Sequence, residues 1–337
     1  MVTKHLLIEQ CRMNESIQIA AKLLRKGEVV AIPTETVYGL GADATNERAV
    51  EKIFQAKGRP SDNPLIVHIA TKKALFELVM DSPDYLEDLI DHFSPGPITY
   101  VLKSNGKIAS NVTAGLSTLG VRIPSNEIAL ELLRQVKLPI AAPSANLSGK
   151  PSPTTAQHVL EDMHGKIAAV LDGGSSEVGV ESTVVDCTGE IPTILRLGKI
   201  TAEDINQVVG AVQIVDTNNK KIKKPKSPGM KYKHYAPDVP LILVKDSSKL
   251  KMMIEQRENK GERVGVLVSL TLPETIRAKK VKSLGGKEDE MAINLYNLLR
   301  SFKPKEVDII ICEAPLPKGI GTAILDRLER AATKIID

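Results

Sequence analysis

Aromatic residues are scarce in this chain, and tryptophan is absent. Phe, Trp and Tyr make up only 3% of the 337 residues, too few to predict a stacking platform for single-stranded nucleic acid. No apolar run approaches the ~18 residues that a membrane span needs. The N-terminus, MVTKHLLIEQCR, lacks the apolar core of a secretory signal. We therefore expect a cytoplasmic protein with no membrane partner.

Cysteine is also rare, and its three positions are far apart. Cys11, Cys187 and Cys312 form no CxxC pair and no Cys/His arrangement with the spacing of a zinc site. An odd number of widely separated thiols also argues against a disulfide framework and for inert thiols in a reducing compartment. We predict no metal site built from protein side chains.

The charge balance is mild. There are 45 basic and 41 acidic residues, a net charge of +4, which is small for a dedicated nucleic-acid binder. It suits an enzyme whose ligand carries several negative charges. Hydrophobic residues make up 42% of the chain, enough apolar material for two cores. At roughly 150 residues per domain, the length predicts two domains.

Two patterns divide the chain. Over residues 1–216, short strand-like runs mix irregularly with helical segments such as 47–58 and 126–137, which predicts an α/β domain with a twisted mixed sheet. Residues 217–237 hold seven lysines, three prolines and no acidic residue, a composition typical of a linker. Strands and helices then alternate over 238–337, which predicts a smaller parallel α/β domain.

The common phosphate-binding fingerprints are missing. The last domain has no GxGxxG motif, and we interpret Gly319 and Gly321 as a turn that opens the final helix. The turn-rich segment PTETVYGLGADA, 33–44, lacks the GxxxxGK[ST] pattern of a P-loop. Thr34 and Thr36 offer hydroxyls there, and the glycines allow close approach of a ligand. A hairpin turn explains this segment equally well.

Cations, a hydroxyl and amides collect in two further segments. KGRPSDNPL places Lys57 and Arg59 on either side of a glycine, followed by Asn63. A mobile point charge beside a rigid fork suits a phosphate chain. PSANLSG follows an apolar run, and Ser144 and Asn146 would point the same way from an extended chain. When each segment is taken alone, a solvated basic turn is the favoured explanation of the first and an ordinary Asx or Ser/Thr turn that of the second.

Taken together, these segments resemble a known family. KGRPSDNPL with PSANLSG is similar to the KxR…SxN signature of the Sua5/YrdC family of threonylcarbamoyl-adenylate synthases, and PTETVYGLG, ESTVVD and RLG fit in the same order and spacing. SPGMKYKHYAP, 227–237, resembles the linker of the long, two-domain branch. The resemblance implies a YrdC-like catalytic domain with a basic cavity at 1–216, a linker at 217–237 and a Rossmann-like Sua5 domain at 238–337.

An activity follows from the resemblance. It implies a nucleotidyltransferase that makes L-threonylcarbamoyladenylate from L-threonine, bicarbonate and ATP, with Mg2+ and release of pyrophosphate. The product would serve N6-threonylcarbamoyladenosine modification next to the anticodon of tRNA, which implies a functional link to the tRNA threonylcarbamoyl transferase. We expect a monomer with at most weak binding to tRNA. We also expect the linker to close over the labile product.

The resemblance also assigns roles to single residues. Catalysis falls on the signature itself, Lys57, Arg59, Ser144 and Asn146. ATP would be bound by Arg59, Asn63, Thr118, Ser144, Ser152, Arg196 and Tyr235. Threonine would be surrounded by Thr34, Thr36, His68, Arg122, Ala142 and Ser182. Arg122 suits a bidentate contact with the threonine carboxylate. Without the resemblance, His68 is interpreted as a core histidine and each arginine as part of a surface ion pair.

Two other functions compete with this one. A carbamoyl-adenylate-forming transferase of the hydrogenase-maturation type shares the KxR…SxN signature, but such proteins are much longer and carry zinc-finger-like cysteine arrays. Three scattered cysteines argue against it. The other is a non-enzymatic module that binds double-stranded RNA or tRNA through basic surfaces. Lysine-rich linkers are more typical of solvated tethers. A steep salt dependence of tRNA affinity without ATP turnover would favour the RNA module.

Overall fold

The computed structural model describes residues 2–8, 13–215, 234–269 and 278–337. The chain forms two compact units, one of residues 1–148, 153–177 and 181–231 and the other of 149–152, 178–180 and 232–337. Cys11 and linker residues 217–233 lie outside the described residues. The domain boundaries that the sequence suggests stay a prediction.

A mixed sheet organises the first unit. Within its described residues the sheet has eleven strands, in the spatial order β1-β8-β2-β3-β7-β4-β6-β5-β9-β10-β11. The strands are β1 Lys4–Leu7, β2 Val30–Ile32, β3 Gly39–Asp43, β4 Ile66–His68, β5 Ile98–Lys103, β6 Thr118–Arg122, β7 Ile140–Ala141, β8 Ala169–Asp172, β9 Thr183–Asp186, β10 Thr193–Arg196 and β11 Gln213–Ile214. The predicted twisted mixed sheet with helices is confirmed, although the segment expected to be turn-rich contains β3.

Helices cover this sheet. They are α1 Met13–Arg25, α2 Glu47–Lys57, α3 Lys72–Phe76, α4 Tyr85–Phe93, α5 Ser110–Thr113, α6 Glu127–Val136, α7 Ala156–Met163 and α8 Ala202–Val209. Successive residues of β2 show why both faces need cover, because Val30 and Ile32 pack in one apolar cluster with Ile17 of α1. Ala31 packs in the other cluster, with Val50 of α2. Alternating side chains therefore bury both faces of the sheet.

The second unit holds a separate sheet. Its described strands, β12 Leu241–Val244, β13 Val264–Val268, β14 Lys280–Ser283, β15 Ile309–Glu313 and β16 Lys334–Ile336, are all parallel, in the order β14-β13-β15-β12-β16. Between them lie a short 3-10 helix, Ser247–Lys249, and α9 Leu250–Glu258, α10 Glu288–Ser301 and α11 Gly321–Ala331. The predicted parallel α/β domain is confirmed. Gly321 is the first residue of α11, so the glycine pair does mark a helix start.

No helix among the described residues is both long and apolar enough to cross a lipid bilayer.

Candidate functional site

The end of α2 separates two cations of the signature. Asn46 caps the start of this helix by accepting from the backbone N–H groups of Arg48 and Ala49, and Gly58 ends it at φ +60°. Glycine adopts that left-handed conformation without strain, so the helix stops between Lys57 and Arg59. Lys57 is only 3% exposed, so a solvated basic turn does not describe it.

Lys57 joins the two halves of the signature. Its Nζ donates to the backbone carbonyls of Ser144 and of Asn146, the latter at 2.7 Å. The Ser144 hydroxyl donates to Asn146 Oδ1 at 2.6 Å. β7 ends at Ala141, so Ser144 and Asn146 lie in the irregular segment that follows it, and their side chains point toward each other. Residues 87 positions apart in the chain therefore form one hydrogen-bonded group.

This segment runs beside the loop that joins β2 to β3. Leu40 N donates to the carbonyl of Pro143 at 2.7 Å, and Gly39 forms an antiparallel bridge with Ser144. A Cβ on Gly39 would lie 3.2 Å from the Cβ of Ala142, so glycine permits this close approach. β2 and β3 are antiparallel, which confirms the hairpin interpretation. Residues 33–38, with both candidate threonines, form its loop.

One edge of the sheet collects four more candidate residues. β4 and β6 are parallel, and their last residues, His68 and Arg122, are register partners. β5 is antiparallel to β6, β9 is parallel to β5, and β10 is antiparallel to β9. Ser182, just before β9, and Arg196, at the end of β10, therefore reach the same edge as His68 and Arg122.

Arg122 is buried at this edge and has a partner at each side-chain nitrogen. Nη2 lies 2.7 Å from Glu35 Oε1 in an ion pair whose side chains are 5% and 3% exposed. Nη1 donates to Thr36 Oγ1 at 2.9 Å, and Nε donates to the carbonyl of Gly96 at 3.3 Å. The interpretation of Arg122 as part of a surface ion pair is therefore wrong, because both members of its ion pair are buried. The loop between β2 and β3 supplies two of its three partners.

The two threonines of that loop form a directed hydrogen-bond chain. The Thr34 hydroxyl donates to the carbonyl of Val37 at 2.6 Å, and that carbonyl can only accept. The 2.9 Å contact between the two hydroxyls must then carry the proton of Thr36, which donates to Thr34 Oγ1. Thr36 Oγ1 in turn accepts from Arg122. Both hydroxyls are fixed in direction before any ligand arrives.

Glu35 is the functional candidate that the sequence reasoning missed. Burial by itself raises the pKa of Glu35, but the positive charge of Arg122, 2.7 Å away, opposes burial, and the pKa is lowered overall. The carboxylate is therefore ionised at neutral pH. The only available signal was an acidic residue between two threonines, and a charged residue in a turn is interpreted by default as solvated.

His68 is buried and uncharged. Burial, and then the nearby charge of Arg122, lower its pKa to about 3, although the negative charge of Glu35 acts in the opposite direction. Its Nδ1 lies 3.3 Å from the carbonyl of Ile66. At neutral pH this imidazole can donate one hydrogen bond and accept one, but it adds no charge to the site.

The titration of His68 predicts an acid-sensitive fold. Its folded pKa lies below its unfolded value of about 6.5, so the unfolded chain binds more protons and stability falls as pH drops from about 6.5 toward 3. We expect His68→Gln to reduce that fall by up to about 1.4 kcal/mol per pH unit in this window. Urea unfolding at stepped pH measures it. Equal slopes for both proteins would contradict the assignment.

Ser182 and Arg196 are bound to each other. Arg196 Nε donates to the carbonyl of Ser182 and Nη2 to its hydroxyl, both at 3.0 Å. The Ser182 hydroxyl also lies 2.8 Å from Thr99 Oγ1. Arg196 is half-buried, and two of its nitrogens are engaged by Ser182. The guanidinium at the end of β10 is therefore held by Ser182, the residue just before the neighbouring strand β9.

The remaining candidates of the first unit lie near the start of β4 and β6. Arg59 Nη2 donates to the carbonyls of Asn63 at 3.3 Å and Pro64 at 3.2 Å. Thr118 lines a small cleft with Pro64 and Thr99, so this cleft adjoins both the Arg59 turn and the Ser182 contacts. Ala142 is buried, and its N–H donates to the carbonyl of Ile66 at 2.9 Å.

Two candidates for ATP binding belong to the second unit. Ser152 is 1% exposed there. Tyr235, at φ +65°, stacks on Tyr296 with ring centroids 5.5 Å apart, and the Arg327 guanidinium carbon lies 5.5 Å from the Tyr235 ring centroid. The roles of Ser152 and Tyr235 toward ATP stay predictions.

Metal-ligating side chains do not cluster in the described part of the chain. Across the part of the chain that the structure describes, no group of three or more His, Cys, Asp or Glu side chains is arranged to hold an ion. Cys187 and Cys312 are free and buried, and burial raises the pKa of each thiol.

Comparison with protein families covers both units. The Sua5/YciO/YrdC family, described as "Telomere recombination", matches residues 22–198, and the family described as "Threonylcarbamoyl-AMP synthase, C-terminal domain" matches residues 200–333. The first match contains the Lys57–Ser144–Asn146 group and the Arg122 edge.

Full-length relatives agree with both matches. The threonylcarbamoyl-AMP synthase of Bacillus subtilis is 48% identical over 93% of this chain and 92% of its own, and that of Pyrococcus abyssi is 45% identical over 94% of each. The crystal structure of P. abyssi Sua5 complexed with L-threonine superposes with a TM-score of 0.93, at 43% identity over 100% of this chain and 99% of the other. The chain therefore belongs to the Sua5 family of threonylcarbamoyl-AMP synthases, in its two-domain form.

Proposed function

We propose that this enzyme condenses L-threonine, bicarbonate and ATP into L-threonylcarbamoyladenylate, and that the residues around Lys57 and Arg122 carry the reaction. The observation that supports this most directly is the buried contact of Lys57 with both Ser144 and Asn146. It joins the two halves of the family signature in a chain that belongs to this family. The product serves threonylcarbamoyladenosine formation in tRNA.

The chemistry needs charge stabilisation more than it needs a strong base. The threonine amine takes up CO2 derived from bicarbonate and becomes a carbamate. A carbamate oxygen then forms a bond to the α-phosphorus of ATP, the bond from that phosphorus to the β-phosphate oxygen breaks, and pyrophosphate leaves. The nucleophile is already an anion, so the main barrier is to bring it against a polyanion. Fixed cations and N–H donors lower that barrier.

Threonine is proposed to bind at the Arg122 edge. The guanidinium is held by Glu35, Thr36 and Gly96. Each terminal nitrogen keeps one N–H beyond these contacts, which favours a bidentate contact with a carboxylate. His68, uncharged and buried, is suited to a hydrogen bond with a neutral ligand group. Thr34, Ala142 and Ser182 complete the proposed set of threonine-binding residues.

ATP is proposed to bind along the signature and the neighbouring cleft. Lys57 and Arg59 would face the phosphates, and the other proposed contacts are Asn63, Thr118, Ser144, Ser152, Arg196 and Tyr235. Asn146, held in the Lys57 group, would keep the turn that contains Ser144 in shape. Mg2+, carried by the nucleotide, would neutralise part of the phosphate charge.

A stoichiometric assay tests the activity. We expect pyrophosphate release from ATP with Mg2+ to require both L-threonine and bicarbonate, and the nucleotide product to have the mass of threonylcarbamoyl-AMP. Omission of either co-substrate should lower the rate at least ~100-fold, because the carbamate that attacks the α-phosphate is then not formed and held in place. Carbamoyl phosphate dependence would instead indicate the carbamoyl-transfer enzyme. Folded protein that binds tRNA but releases no pyrophosphate would indicate the RNA module.

The cellular setting is part of the same proposal. We expect the enzyme to act in the cytoplasm as a monomer and to supply its adenylate to the tRNA threonylcarbamoyl transferase, with at most weak direct binding to tRNA. The charge balance of +4 is consistent with weak rather than tight nucleic-acid binding.

A further inference from the structure

Glu35 is a buried acid in a site otherwise described by its cations. Its side chain is 3% exposed and lies 2.7 Å from Arg122, itself 5% exposed. Water therefore screens neither charge well, and each acts strongly on any ligand that enters. The established activity assigns nothing to this carboxylate.

We infer that Glu35 is a specificity-determining residue that fits the Arg122 site to a zwitterionic α-amino acid rather than to a simple carboxylate. This inference rests on the proposed binding of the threonine carboxylate to Arg122. A buried arginine alone would attract any carboxylate of suitable size. Paired with Glu35 it forms a neutral site, and a lone carboxylate would leave that site with one uncompensated negative charge.

An amino acid avoids this imbalance. At neutral pH its carboxylate brings a negative charge and its ammonium a positive one, separated by two bonds, so the ligand and the Glu35–Arg122 pair sum to zero. His68 on the neighbouring strand does not change this sum, because it is uncharged at neutral pH. The Arg196 guanidinium contacts Ser182 and is assigned to ATP, so the balance drawn here is that of the Glu35–Arg122 pair alone, which is matched to one ligand cation and one ligand anion.

Glu35 also holds the guanidinium in place. Arg122 is held on one side by Glu35, on another by Thr36 at 2.9 Å, and at Nε by Gly96 at 3.3 Å. Loss of the Glu35 charge removes one of these three restraints and leaves a net positive site. Such a site gains affinity for plain carboxylates and loses its preference for the amino acid.

The test compares L-threonine with its deaminated analogue, 3-hydroxybutanoate. The selectivity ratio is the inhibition constant of 3-hydroxybutanoate divided by the KM of threonine, both from pyrophosphate release. We expect a ratio above ~100 for the natural enzyme and a fall of at least about tenfold for Glu35→Gln, which keeps the shape and removes the charge that leaves a plain carboxylate uncompensated. Glu35→Asp, which keeps the charge, should retain the ratio within about threefold.

A matched control is Glu28→Gln. Glu28 forms an exposed ion pair with Lys52 at 3.1 Å, away from the candidate residues, and its loss should leave the ratio unchanged. A ratio near one in the natural enzyme, or an equal change in Glu35→Gln and Glu35→Asp, would overturn the inference. So would an unchanged ratio in Glu35→Gln. If Glu35→Gln does not fold, the natural enzyme and Glu35→Asp decide, since both must retain the high ratio.

The inference and the proposed function fail in different ways. If the natural enzyme releases no pyrophosphate with threonine and bicarbonate, the proposed function fails, and calorimetric titration of the two ligands still gives their affinity ratio. If pyrophosphate is released but the selectivity ratio does not change with the charge of residue 35, only the role of Glu35 fails. A purely structural ion pair would lower the Tm of Glu35→Gln without moving the ratio.

Discussion

Lys57→Ala is expected to lower kcat/KM for threonylcarbamoyl-AMP formation about 100- to 1,000-fold, the range found when one preorganised electrostatic contact is removed from an active site. The reason is twofold. The ammonium supplies charge near the proposed phosphate site, and it fixes the turn of Ser144 and Asn146 through both of their carbonyls. Threonine-dependent pyrophosphate release measures the effect.

Stability separates this effect from misfolding. Removal of Nζ leaves two carbonyls without that donor, so Lys57→Ala should also lose about 1–3 kcal/mol of unfolding free energy while still folding. Lys52→Ala, on the same helix, is the matched control, because Lys52 is half-exposed and donates to the carbonyl of Gly27 at 2.8 Å. Normal turnover of Lys57→Ala at unchanged stability would exclude the role assigned to Lys57.

Arg122→Met is expected to be the most destabilising change in the site. It leaves the Glu35 carboxylate buried without its counter-ion, which typically costs about 3–5 kcal/mol. In the natural enzyme the lowered pKa of Glu35 contributes stability above about pH 4.5 that is lost as pH falls through the folded value. In Arg122→Met the Glu35 carboxyl should instead protonate readily. The loss of unfolding free energy of this variant, relative to the natural enzyme, should therefore become smaller on acidification. Urea unfolding measures the loss of stability at pH 7 and its decrease at pH 5.

A double variant separates stability from function. Arg122→Met combined with Glu35→Leu removes both charges, and it should recover most of the lost stability because an apolar pair of similar size avoids the desolvation cost. It should not recover threonine-dependent turnover, since no cation remains at this position for the carboxylate. Arg122→Met with natural stability at pH 7 would mean that Glu35 has another counter-ion. Restored turnover in the double variant would remove Arg122 from the threonine site.

The elements were largely predictable because their signals are local. Gly58 ends α2 where the helical pattern stops, and Gly321 starts α11 where the glycine pair suggested a turn. The regular alternation after residue 238 predicted the parallel sheet. Such signals depend on a few neighbouring residues, whose backbone preferences do not depend on the rest of the chain. The family resemblance, in turn, needed only the types and spacing of the signature residues.

The arrangement of polar side chains could not be predicted in the same way. Arg122 and Arg196 looked like surface residues, yet the first is buried against Glu35 and the second is tied to Ser182. Their neighbours come from strands that are distant in sequence, and only the order of strands in the sheet brings them together. A single sequence does not encode that order in any short pattern.

By itself, the sequence determined the elements, the two kinds of sheet and the residues of the signature, since backbone preference and apolar periodicity act over short stretches. Only the tertiary structure decided that Lys57 contacts Ser144 and Asn146, 87 and 89 positions away, and that Glu35 pairs with Arg122. The physical reason is burial. Once the sheet removes these groups from water, each charge and donor must find a partner, and the partners are those that strand order places within reach.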